Sequence, residues 1–186
     1  SWFLFKKGKK RTLELERFNY FLEQNLFQLH YDLNIGNYKH GSYRKFVVND
    51  NKKREIMVAS VRDRVVHRLL YGYLNEIYDK TFIFDVWSCR KEKGLLSAIE
   101  RAQKFLTKYQ KYFIWRADIK KFFDNVNHNK LLKIFSFRVK DQKALYLLKE
   151  IISNYFASEG KGIPIGNLTS QIFANIYLNE FDRFIK

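Results

Sequence analysis

The chain of 186 residues has one cysteine, Cys89, and one proline, Pro164. A single cysteine excludes an internal disulfide and a zinc site built from several thiolates, and it fits a reducing cytoplasm. Metal-ligand spacing is also missing from the four scattered histidines, which are His30, His40, His67 and His128. Because proline interrupts helices, its scarcity favours a helix-rich fold.

Acidic residues are also scarce. The chain has 19 Asp and Glu against 35 Lys and Arg, which gives a formal net charge of +16. A domain this basic repels itself unless a polyanion neutralises it, and nucleic acid is the usual polyanion. A membrane surface is the competing partner. No run of about 18 apolar residues could cross a bilayer, and the start of the chain is not a secretory signal. The composition therefore favours nucleic acid and predicts no membrane partner.

The N-terminal third shows a helix followed by a hairpin. The basic patch at 6–11 is predicted to be mobile, and apolar residues at spacings of three and four predict a helix over 12–33. Gly36 predicts its end, because glycine accepts the left-handed conformation of a helix stop. Two β-prone runs, 44–48 and 54–59, flank the polar residues 49–52 and predict a β-hairpin.

The rest of the chain alternates helices with loops. Ser60 followed by Asp63 is typical of a helix start, and the aromatic run 112–118 predicts a strand. Further helices are predicted from Leu95, near 130–135, at 142–155 and from 168 to the end. The buried side of the last helix is expected to carry Ile172, Phe173, Ile176, Tyr177, Phe181 and Phe184.

Asp118 is the first candidate for chemistry. It follows the predicted strand, and a hard oxygen ligand suits magnesium. Asp124 comes six residues later. The spacing alone is weak evidence, because either carboxylate could cap a helix or form a salt bridge.

The sequence around Asp118 is more specific evidence than the spacing of the two carboxylates. Residues 118–126, Asp-Ile-Lys-Lys-Phe-Phe-Asp-Asn-Val, resemble the first catalytic motif of reverse transcriptases, as found in retroelements and group II introns. The resemblance implies that Asp118 binds both magnesium ions, with the backbone carbonyl of Ile119 as a further ligand. It also implies that Phe123 blocks the ribose 2′-hydroxyl of the incoming nucleotide and that Asp124 is structural.

A second stretch, 51–56 followed by 60–66, resembles the fingers hairpin of that family and the helix after it. The resemblance implies that Lys53 and Arg54 hold the nucleotide triphosphate. A solvated turn is the alternative, because clusters of Lys and Arg often lie there.

Three other arginines are candidates for nucleic-acid binding. Arg62 and Arg64, on the helix after the hairpin, contact either template or structural carboxylates. The loop 88–94 occupies the place of the family's Arg- and Gly-containing loop before the palm helix. The resemblance implies that Arg90 there contacts a template phosphate, which would fix register without reading sequence.

The most specific stretch is 162–171. Most reverse transcriptases have Pro-Gln-Gly-x-x-x-Ser-Pro there, whereas this chain has Ile165 in place of the Gln and Gln171 in place of the last Pro. Both departures resemble the enzymes of diversity-generating retroelements. The resemblance implies that Ile165, Gly166 and Gln171 border the nucleotide. Because Ile165 removes a polar contact from the base-pair pocket, we expect loosened base selection and error-prone copying.

The implied fold class is α+β, the fingers and partial palm of a right-hand polymerase. Residues 1–111 would form the fingers region with its N-terminal helix, and 112–186 the N-terminal part of a palm with an incomplete antiparallel sheet. The chain contains no Tyr-x-Asp-Asp sequence, which supplies the family's other metal ligands. We therefore expect a fragment that ends before this motif and the thumb, and that is inactive alone.

The implied function is RNA-directed DNA polymerisation by two-metal nucleotidyl transfer. The cofactor would be Mg²⁺, as two ions in the complete enzyme, and the partners would be template RNA, a DNA or RNA primer, deoxynucleotides and a basic accessory protein. Two alternatives stay open. One is a non-catalytic RNA-binding domain derived from such an enzyme, and the other is a retron, abortive-infection or group II intron enzyme.

Overall fold

The computed structural model describes residues 1–49 and 53–186. In chain order, its elements are α1 (Trp2–Lys6), α2 (Leu13–Tyr20), α3 (Leu22–Ile35), β1 (Arg44–Asn49), β2 (Lys53–Val58), α4 (Val61–Tyr78), α5 (Leu95–Lys108), α6 (Phe122–Asn125), α7 (His128–Arg138), α8 (Gln142–Ser153) and α9 (Leu168–Ile185). The described part is thus helix-rich α+β, as predicted.

Two short helices stand where one helix was predicted over 12–33. The backbone breaks at Phe21, whose φ of −103° and ψ of 38° are not helical. Gly36 ends α3 with a φ of 72°, as predicted. The preceding helix α1 was not predicted, because five residues are too few to show periodicity. It is held by tertiary packing: Trp2 is buried and stacks on Phe18, with 5.2 Å between ring centroids.

Helix α4 is the central element, and it packs against α9, α1 and α2. Its start agrees with the prediction, because the Ser60 hydroxyl accepts a hydrogen bond from the Asp63 amide at 3.2 Å and donates one to the Asp63 carboxylate at 2.7 Å. The core side of α4 includes Val66, Leu70 and Leu74, all nearly inaccessible to solvent.

The hairpin forms as predicted. Strands β1 and β2 pair antiparallel, in a register that runs from Arg44 opposite Val58 to Asn49 opposite Lys53. The predicted polar turn at 49–52 lies largely outside the described residues. Within the described ranges, this pair is the only sheet.

The strand predicted over 112–118 is wrong for the described structure. These residues have no strand geometry, and the side chains of Phe113 and Trp115 are exposed. A strand needs a neighbouring strand to satisfy its backbone groups, and no described segment pairs with it. The palm sheet expected there is therefore not seen.

The apolar faces of two helices, α5 and α9, are more exposed to solvent than their sequences predicted. On α5, Leu95 and Leu106 are exposed, and no residue of this helix is buried. On α9, the expected burial holds for the first half of the helix. It is wrong for Phe181 and Phe184, which are 47% and 87% exposed.

Candidate nucleotide and nucleic-acid site

The segment 162–166 connects the Phe123 motif to the hairpin through backbone hydrogen bonds. The Ile163 amide donates to the Phe123 carbonyl at 2.9 Å, and the Gly162 amide donates to the Val126 carbonyl at 2.9 Å. The Ile165 carbonyl accepts from the Met57 amide on β2 at 2.8 Å. The structure therefore brings together three regions that are far apart in sequence and that were each predicted to border the nucleotide.

Gly166 is required where this segment meets the hairpin. Its φ is 110°, and a Cβ atom there would lie 2.5 Å from Ile56 Cγ2 and 3.2 Å from the Met57 carbonyl oxygen. Only glycine accepts both the backbone conformation and this close approach. Asn167 adds a second tie, because its Nδ2 donates to the same Met57 carbonyl at 2.9 Å.

Lys53 and Arg54 begin β2, a few residues before the Met57 junction. Both side chains are exposed, and neither forms an ion pair with another described residue. On the same hairpin, Lys45 is instead paired with Glu55 at 2.6 Å. Among the residues that the structure describes, no carboxylate therefore neutralises the two predicted triphosphate ligands.

Asp118 and Ile119 lie on the exposed segment that leads into α6. No hydrogen bond or ion pair joins the Asp118 carboxylate to any other residue that the structure describes, so its oxygens are free to ligate. The described residues contain no group of three His, Cys, Asp or Glu that could hold a metal ion. Asp118 thus fits the role of one magnesium ligand, but the described residues do not complete a metal site.

Phe123 is half-buried at the start of α6. Its ring packs edge-on against Phe122, with 5.7 Å between centroids. Its carbonyl is fixed by Ile163, as described above. Burial raises the pKa of Tyr155, and the charge of Asp124, one residue after Phe123, acts in the same direction.

Arg62 and Arg64 both bind carboxylates within the chain, which was one of the two predicted roles. Arg62 donates to Asp32 at 2.9 Å and to Asp63 at 3.3 Å. Arg64 reaches Glu14 at 3.3 Å. The contacts with Asp32 and Glu14 fasten α4 to α3 and α2.

Arg90 does not have the free guanidinium that a template contact requires. Its three nitrogen atoms donate to the Asp79 carboxylate, at 2.7 Å for the shortest bond, and to the carbonyls of Asp79, Ile83 and Val86. The predicted template contact is therefore corrected to an internal role, in which Arg90 closes the loop that follows α4.

The neighbouring Cys89 is exposed, with a φ of 55°, and its carbonyl accepts from the Tyr71 hydroxyl at 2.8 Å.

A basic cleft beside Gly166 was not predicted. It has a volume of about 370 Å³ and is lined by residues from α1, α4 and the start of α9. Its cationic and polar lining residues include Lys7, Lys9, Arg64, Arg68, Asn167 and Gln171. Burial, and then the charges of Arg64 and Arg68, lower the pKa of Lys9. The only available signal was the basic patch at 6–11, but nothing in the sequence shows that α1 places it against α4.

A buried polar network lies behind this cleft. The Tyr38 hydroxyl donates to the Asp63 carboxylate at 2.7 Å, and burial is the main cause that raises the pKa of Tyr38. His67 Nε2 lies 2.9 Å from His40 Nε2, and His67 Nδ1 lies 2.6 Å from Thr169 Oγ1. Burial lowers the pKa of His67 to about 3. The sequence predicted no particular role for these histidines.

The amino-acid sequence of this chain is similar to those of known proteins. Residues 39–186 match the profile of the reverse transcriptase (RNA-dependent DNA polymerase) family. Because this match covers most of the chain, the protein belongs to the reverse transcriptase family.

Three relatives show how far the similarity extends. An uncharacterized 91 kDa protein in the cob intron of Schizosaccharomyces pombe is 30% identical over 141 residues, which is 72% of this chain and 17% of the relative. The putative COX1/OXI3 intron 2 protein of Saccharomyces cerevisiae is 26% identical over 87% of this chain and 20% of the relative. The group II intron-encoded protein LtrA of Lactococcus lactis is 24% identical over 89% of this chain and 29% of the relative. The chain therefore spans less than a third of the length of each of these relatives.

No helix within the described ranges is both long enough and apolar enough to cross a membrane.

Proposed function

We propose that this chain forms the part of an RNA-directed DNA polymerase that receives the incoming deoxynucleotide and the template. In this assignment, 1–111 are the fingers region and 112–186 are the N-terminal part of the palm. The reaction joins a deoxynucleotide to a primer 3′-hydroxyl on template RNA and releases pyrophosphate. The observation that carries the proposal is the Met57–Ile165 backbone bond, because it joins the hairpin to the 162–171 segment inside the family match.

The proposed roles are those that the family resemblance implies, and the exposure of Lys53, Arg54 and Gln171 is compatible with them. Lys53 and Arg54 are exposed cations that bind the triphosphate. Phe123 lies under the ribose and excludes a 2′-hydroxyl. Gly166 and Gln171 border the base pair, since Gln171 is exposed in the first turn of α9.

The basic cleft beside Gly166 is the proposed path of the template backbone. Phosphate attraction is independent of sequence, which suits an enzyme that must copy any template. Arg64 also reaches Glu14, but it lines this cleft, whereas Arg62 and Arg90 do not line it and have structural roles.

Asp118, with the carbonyl of Ile119, would hold magnesium. When bound, the metal ions activate the primer hydroxyl and steady the leaving pyrophosphate. Since magnesium is held by several ligands and substrate phosphates, we expect the 186-residue chain alone to bind it weakly and to have no polymerase activity.

Ile165 supports the narrower assignment to a diversity-generating retroelement. Its backbone is fixed by Met57, so its position does not depend on the identity of its side chain, which is 36% exposed. Ile165→Gln therefore changes the chemistry presented to the base pair with little change in backbone. In an active polymerase that contains this segment, we expect the substitution to reduce misincorporation opposite template adenine. An unchanged misincorporation spectrum would contradict this role.

Mutagenic copying in the cytoplasm, with a dedicated template RNA and a basic accessory protein, would complete this assignment. The second candidate is a group II intron enzyme, which is favoured by the relative from Lactococcus lactis that carries this description. A non-catalytic RNA-binding domain is a third, but binding alone requires neither Asp118 nor Phe123.

Binding of a fluorescent RNA–DNA primer–template, with and without deoxynucleotide, tests the central proposal. We expect wild-type chain to bind, and binding to weaken as salt rises. Deoxynucleotide should tighten binding for the wild type but not for the Lys53→Ala/Arg54→Ala double variant. Lys133→Ala/Lys149→Ala, at two exposed lysines on α7 and α8, is the control matched for the loss of two charges. A double variant that responds to deoxynucleotide as the wild type does would overturn the assignment of the hairpin.

A further inference from the structure

A chain of buried side chains crosses from the hairpin side of α4 to the first turn of α9. His67 is 1% exposed, and Thr169 is fully buried. His67 Nδ1 lies 2.6 Å from Thr169 Oγ1, and its Nε2 lies 2.9 Å from His40 Nε2. His40 Nδ1 in turn lies 2.6 Å from the Gly41 carbonyl oxygen.

His67 can bond to Thr169 in either tautomer. The Gly41 carbonyl oxygen can only accept, which favours a proton on His40 Nδ1. Asn154 Nδ2 is a donor that also reaches the Gly41 carbonyl at 2.9 Å, and it lies 2.8 Å from the same ring nitrogen, which favours an unprotonated Nδ1. One proton lies between His40 Nε2 and His67 Nε2 in both cases, so His67 Nδ1 meets Thr169 Oγ1 either as acceptor or as donor. Because a hydroxyl can donate and accept, the hydrogen bond between His67 and Thr169 forms with either assignment.

We propose that His67 is a positioning residue for the segment Gly166–Gln171, acting through the hydroxyl of Thr169. The inference rests on the proposed function, because it concerns the segment assigned to the base pair. Asn167, tied to Met57, and Thr169, tied to His67, fix the start of α9 at two points on different elements. The Gln171 side chain emerges half a turn after the second point and lines the same cleft as His67.

The surroundings of His67 favour the neutral ring that this arrangement requires. Burial is the largest cause of its lowered pKa, and the charges of His40 and Arg64 act in the same direction. Asp63 opposes them. The ring of His67 is therefore neutral at neutral pH, with one nitrogen as donor and the other as acceptor.

Two substitutions of Thr169 form a matched pair. Thr169→Val keeps the shape and removes the hydroxyl, whereas Thr169→Ser keeps the hydroxyl and removes a methyl group. Nitrogen-15 NMR of the wild-type chain should show a neutral His67 ring with one protonated nitrogen. In Thr169→Val and in His67→Phe, we expect the amide resonances of Gly166 and Gln171 to move while those of α8 stay. Thr169→Ser should restore the wild-type positions.

Primer–template affinity, measured at low temperature where every variant is folded, gives the second readout. Loss of one buried hydrogen bond is expected to weaken binding about fivefold in Thr169→Val and His67→Phe, with recovery in Thr169→Ser. A purely structural role would lower the melting temperature without moving the Gln171 resonance or the affinity, and that result would overturn the inference. If the wild type binds no primer–template at all, the proposed function fails. The NMR comparison still decides whether His67 positions the segment.

Discussion

Two irregular segments border the candidate site, and they differ in how they are held. In 162–166, Ile163 and Pro164 are buried, and backbone bonds reach both the Phe123 motif and β2. In 112–118, Phe113 and Trp115 are exposed, with no regular backbone pairing. Both segments have strongly apolar residues, so hydrophobicity does not explain the difference.

The difference shows that position depends on available partners. The 162–166 segment finds donors and acceptors on α6 and β2, so it is fixed without forming regular structure itself. The 112–118 segment has the composition of a strand, but β-propensity acts through packing against cross-strand neighbours. No described residues supply such neighbours.

Gly166→Ala should disrupt the segment 162–166, which is the better ordered of the two by its hydrogen bonds. The new Cβ would meet Ile56 and Met57 at a φ that L-residues rarely adopt, so we expect a loss of roughly 2–4 kcal/mol in the free energy of unfolding. Urea titration measures it. Gly160→Ala is the matched control, because Gly160 also has a positive φ but open space around it. Its backbone strain alone should cost about 1 kcal/mol. Equal losses in the two variants would show that the Ile56 contact does not hold the segment.

Acid should loosen the same segment through His67. The pKa of this residue falls from 6.5 to about 3 on folding. Between these two pH values, His67 is protonated in the unfolded chain but neutral in the folded chain. Stability is therefore full above pH 6.5 and is lost as pH falls toward 3. At pH 5, the loss from this group is about 2 kcal/mol.

Urea titrations at pH 7.5 and pH 5 check this dependence. His67→Phe should remove most of the difference between the two pH values, whereas His30→Phe, an exposed histidine on α3, should leave it. A pH dependence that survives in His67→Phe would assign it to other groups.

The smallest effect is expected in the exposed segment. Phe113→Ala removes a side chain that is fully exposed, so the free energy of unfolding should change by less than about 0.5 kcal/mol. Phe173→Ala, the same substitution at a position 1% exposed on α9, should cost about 3–5 kcal/mol. If Phe113→Ala destabilises the chain by a similar amount, the segment has packing partners and the comparison between the two segments fails.

Local signals in the sequence predicted the parts of the fold that short-range chemistry fixes. Ser60 and Asp63 marked the start of α4, and Gly36 marked the end of α3. The hairpin followed from two β-prone runs around a polar turn. The places of Phe123 and Ile165 beside the nucleotide came from family resemblance rather than from any local rule, and they stay predictions.

Features that depend on distant partners could not be predicted. His40 and His67 are 27 residues apart, and Thr169 is 102 residues beyond His67, so no spacing rule connects them. Arg90 was predicted to bind phosphate because its loop resembles the family's loop before the palm helix, and only the fold shows that its guanidinium binds Asp79 and three carbonyls. The break at Phe21 likewise interrupts a pattern that was periodic on both sides.

The single exposed cysteine makes the loop after α4 convenient for spectroscopy. A thiol-reactive dye can attach only at Cys89, without the cysteine replacements that most chains need first. The label would sit next to Ser88, whose carbonyl accepts from Asn175 on α9 at 2.7 Å. Its emission can therefore report, in real time, whether nucleic acid or nucleotide disturbs the helix that carries Gln171.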